Sequence, residues 1–77
     1  MQADIETRGL PSAIEAERLI LGSILEGHVS VADIPLDAAD FALEKHRRIF
    51  LRVQELYERG EAVNVITVFH ALKSHGE

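Results

Sequence analysis

The side chains of this 77-residue chain that could do chemistry are four histidines, thirteen carboxylates and the serines Ser12, Ser23, Ser30 and Ser74. A structural zinc site wants four ligands, usually with cysteine among them, and the chain has no cysteine. His70 and His75 are five apart, which on a helix turns them more than roughly a hundred degrees away from each other. His28 and His46 fall in other elements, so no metal is expected. None of the serines sits in a G-x-S-x-G setting, as an α/β-hydrolase nucleophile would. Gly9, Gly22, Gly27, Gly60 and Gly76 never form the phosphate-cradling G-x-x-x-x-G-K-[ST] loop, so neither ATP binding nor any other cofactor is expected of this stretch. With no convergent group of activated side chains, the chain reads as non-catalytic.

Two ionisable residues nevertheless occupy positions that demand an explanation. At about 100° per residue, Glu17 falls within the arc of Ile14, Ile20, Leu21, Ile24 and Leu25. His46 falls near the middle of the arc of Ile49, Phe50, Val53 and Tyr57. A carboxylate placed in an apolar arc must pair, neutralise or reach solvent. We expect Glu17 to bond His46, or failing that Arg47, and so to tie the first helix to the one that carries His46. The alternative is that both side chains extend to solvent at their helix ends.

A second group lies on the opposite side of the helix that carries His46. Arg48, Arg52 and Arg59 fall on one face, interleaved with Glu44 and Glu55, and Leu51 points away from the apolar arc. Leu19 is off the arc of its own helix in the same way. Such a face is either a solvated charged surface with stray leucines or a protein-docking surface, an apolar anchor rimmed by charge.

The elements that hold these residues are helices. Ser12-Ala13-Ile14-Glu15 fits a capping box, Ser12 accepting from Glu15 and Glu15 reaching back, and opens a helix expected to run to about Glu26, where Gly27 ends it. Between His28 and Ala42 the periodicity weakens. Val31, Ala32 and Ile34 suit a turn or two, Pro35 interrupts, Asp37 suits a short turn through Asp40, and Leu36 and Phe41 are the expected anchors. From Leu43 to Arg59 the apolar spacing of one buried face is clear, with Glu44→Arg48 and Glu55→Arg59 as outward pairs and Gly60 as the stop. Asn64 caps the last helix, Val63 and Val68 form a hydrophobic staple, and Val65, Val68, Phe69 and Leu72 line one side. The expected fold is therefore all-α, a small orthogonal or antiparallel bundle of three main helices plus a short variable segment. Residues 1–10 read as a flexible tail and residues 11–77 as the domain.

Totals narrow the partners. Apolar residues make up 47% of the composition, which suits a packed fold. The net charge of −5 forfeits the phosphate attraction that drives nucleic-acid binding, so direct DNA binding is expected to be weak or absent. A polar N-terminal stretch, apolar runs as short as Leu19–Leu21 and no cysteine give an expectation of a cytoplasmic protein with no membrane span.

Three segments in register resemble one family. Pro11-Ser12-Ala13-Ile14-Glu15-Ala16-Glu17 with Leu21-Gly22 and Leu25 is similar to the opening of DnaB-type replicative helicases. Asp40-Phe41 with His46-Arg47-Arg48-Ile49-Phe50 looks like a second family segment, and Val63-Asn64-Val65-Ile66-Thr67 with Leu72 a third. The stretch between Gly27 and Asp40 is shorter than the family's. The chain also stops before the family's helical hairpin and its ATPase domain, as an excised piece of the N-terminal domain would. The resemblance implies a collar that supports hexamer formation and receives the C-terminal helicase-binding domain of primase, with contact to a helicase loader also open. ATP and magnesium would belong to the absent motor domain. The competing expectations are a DNA-binding helix-turn-helix, weakened because the helix after Asn64 offers Lys73 and no Arg, Asn or Gln to read bases, and a helical adaptor of another family.

Overall fold

The computed structural model of the chain describes residues 11–77, with side chains from residue 13 onward. Among the described residues the fold is all-helical: α1 (Pro11–Leu25), α2 (Glu44–Glu58) and α3 (Val65–Ser74), with two 3-10 turns, Val31–Asp33 and Ala38–Asp40, between α1 and α2. The flexible tail expected over residues 1–10 lies outside the described residues.

Helix ends follow local chemistry. Proline at the first position of α1 loses no bond, because the first N–H groups of a helix have no intrahelical acceptor. Ser12 thus falls on the second residue of α1 rather than ahead of it, and its side chain, with the capping box proposed for it, lies outside the described residues. The carboxylate of Glu15 engages the Arg18 guanidinium. At the other end of α1, Gly27 takes φ +83°. That left-handed residue lets His28 N–H reach Ser23 C=O at 2.9 Å and Gly27 N–H reach Ile24 C=O at 3.1 Å, closing the last turn. Gly60, φ +73°, closes α2 in the same way, with Glu61 N–H bonded to Leu56 C=O at 2.9 Å. At α3 the cap is reciprocal: Asn64 Oδ1 accepts from Thr67 N–H and Thr67 Oγ1 accepts from Asn64 N–H, both at 3.0 Å.

The segment between α1 and α2 keeps no α-helix. Ser30 Oγ accepts from Ala32 N–H at 3.2 Å to start the first turn. Pro35 has no N–H and separates the two turns. In the second, the carboxylate of Asp40 accepts from Asp37 N–H at 2.8 Å, so the side-chain tie runs back from Asp40. Phe41 ends this segment inside the domain, its ring centroid 4.9 Å from that of Phe50. Around these rings pack Leu21 and Ile24 of α1, Val53 and Leu56 of α2 and Val68 of α3. Leu36, Val63 and Leu72 are partly buried against this core.

Three expectations about the core are corrected. Tyr57 is 49% exposed; it lies near the end of α2, where its ring forms one wall of an open groove with Ile24, Val31 and Val63 instead of being covered. Val65 and Phe69 of α3 are 59% and 58% exposed. At 100° per residue, the face that α3 turns to the core is Val68, Ala71 and Leu72, and nothing in the described chain covers Val65 and Phe69.

Candidate protein-docking surface

One polar cluster fixes how the helices sit. Leu43 stands at the N-cap of α2 and has no side chain able to cap it. Glu17, reaching across from α1, holds the backbone just ahead of the helix: its carboxylate accepts from Ala42 N–H at 2.6 Å and from Leu43 N–H at 3.4 Å. Its Oε1 also lies 2.9 Å from Nδ1 of the buried His46. An ionised carboxylate only accepts, so Nδ1 carries the proton. Arg47 does not reach Glu17. Its Nη2 donates to Ala42 C=O at 3.0 Å, so one residue, Ala42, is gripped at its N–H by α1 and at its C=O by α2. The side chains of Glu17 and His46 are 12% and 8% exposed.

Burial pushes the Glu17 carboxyl up, but the Ala42 N–H, His46 and the Leu43 N–H together outweigh it and hold it below the usual carboxylate range. The positive end of the α2 dipole favours the same ionised state. These bonds tie α1 to the start of α2.

A second tie joins α2 to the end of α3 and corrects the expectation for Arg52. Its side chain is only 8% exposed and lies 3.1 Å from Glu55 and 3.8 Å from Glu77. Its Nε is buried without a partner. Arg52 borders the apolar arc of α2, and the packing of α3 against α2, with Leu56 and Val68 in the shared core, extends that arc over it; the aliphatic stem is covered while the guanidinium finds the carboxylates. Glu55 is thereby drawn away from Arg59, the partner expected for it. It faces Arg52 and, at 3.7 Å, His75, while Arg59 Nε lies 3.4 Å from Glu61.

Outside these ties the surface is open. Arg48 pairs with Glu44 at 2.7 Å on the exposed side of α2. Leu51 is 40% exposed and Leu19 63%. Leu19 lines a shallow groove with Ile20, Ser23, Val29 and Ile34, a groove to which Leu51 does not belong. Of the face expected on α2, Arg52 is buried, while Arg48, Leu51 and Arg59 stay exposed. Val65 and Phe69, which helical periodicity alone assigned to the core, form an exposed apolar face with Ile66, 68% exposed. Its signal in the sequence is that apolar residues of VITVFHALKS occupy both sides of the helix, the pattern of a helix that buries two faces. Among the described residues no three metal-ligating side chains are grouped, and no helix is long and apolar enough to cross a membrane.

Comparison with known proteins gives this helical domain a family. The family described as "DnaB-like helicase N terminal domain" matches residues 9–77. The chain is 33% identical over 66 residues to the replicative DNA helicase DnaB of Treponema pallidum, covering 83% of this chain and 15% of that protein. It is 35% identical over 69 residues to that of Leifsonia xyli, covering 87% of this chain and 15% of the relative. With the Pasteurella multocida helicase the identity is 34% over 65 residues, 82% of this chain and 14% of the relative. The chain thus spans a small part of the relatives it resembles. No solved structure matches.

Proposed function

Because the chain belongs to the DnaB-like helicase N-terminal domain family, we propose that it is the non-catalytic assembly and recruitment head of a replicative helicase. The observation that carries this reading is the pairing of a rigidly tied helical head with large apolar side chains left outside it: Leu19, Leu51, Val65, Ile66 and Phe69 are all exposed. Apolar anchors rimmed by charge are what protein interfaces use. In this reading the partners are other subunits of the hexamer and the C-terminal helicase-binding domain of primase, with a loader as a further visitor. ATP and magnesium act in a separate motor domain of the parent. A partner that binds this head more tightly in one state of the ring shifts the ring toward that state.

A helix-turn-helix role has less support, because α3 turns Val65, Ile66 and Phe69 outward, which offer no hydrogen bonds to base edges. The assembly reading is tested by Leu19→Asp with Leu51→Asp in an intact helicase that carries this domain. Both side chains are exposed, so the fold and its circular dichroism should be unchanged. Primase affinity or the hexamer fraction should fall about tenfold, as loss of an interface anchor does. A folded double variant with the same hexamer fraction and the same primase affinity would contradict the role given to these leucines.

A further inference from the structure

We draw no further inference here: the strongest candidate, the shallow apolar groove that Leu19, Ile20 and Ser23 of α1 form with Val29 and Ile34 of the segment between α1 and α2, carries nothing because nothing in the structure shows what covers it.

Discussion

Glu17→Ala should destabilise the domain by about 3 kcal/mol, because it strips a partly buried histidine and two backbone N–H groups of their common acceptor. For a domain of this size that loss corresponds to a fall in melting temperature of more than about 10 °C. His46→Ala should cost less, since Glu17 keeps Ala42 N–H at 2.6 Å. Glu17→Gln keeps an acceptor oxygen but not the charge and should fall between the two. The pH dependence follows from the direction of the shift. The folded carboxyl is held below its ordinary value of 4.5, so its ionised form stabilises the fold above that value, and the contribution disappears as pH falls through the lower folded value. The stability gap between the unsubstituted chain and Glu17→Gln should therefore be widest near neutrality and close in acid, as read by urea unfolding at a series of pH values. A gap that widens in acid would show that the charge of Glu17 does not stabilise the fold.

Two phenylalanines divide the account of packing. Phe50 is 0% exposed, against Phe41, so Phe50→Ala should cost about 3–5 kcal/mol. That is a large part of the total stability a domain of this size commands, and we expect a chain largely unfolded or close to it by circular dichroism. Phe69 is 58% exposed, and Phe69→Ala should change stability by no more than about 0.5 kcal/mol. If the second substitution were as damaging as the first, α3 would have to pack by the face that the structure turns to solvent.

The contrast between these residues also shows what the sequence could convey. Local signals were legible because they need only a few neighbours: glycine after a helix, Asn64 before one, a proline interrupting the middle segment. The meeting of Glu17 and His46 was open to inference for a different reason. An ionisable group inside an apolar arc must find a partner, and each arc contained one such group. What was not legible is which helix covers which side. The α2 arc alone leaves Arg52 outside, and only the packing of α3 buries it. In α3 itself, apolar residues on both sides gave no way to tell Val68, which is buried, from Val65 and Phe69, which are not. Leu43, read as the first residue of its helix, gave no sign that the backbone ahead of α2 would be held by a carboxylate of α1.

The claim at the centre of this account is that the domain acts by presenting apolar anchors to protein partners while chemistry occurs elsewhere in the helicase. Its most direct test is titration of the isotope-labelled chain with the C-terminal helicase-binding domain of a cognate primase, followed by heteronuclear NMR. The account predicts saturable shifts clustered on exposed positions such as Leu19, Leu51, Ile66 and Phe69, with the core signals of Phe41 and Phe50 unmoved. A folded chain whose spectrum does not change at any primase concentration would contradict it.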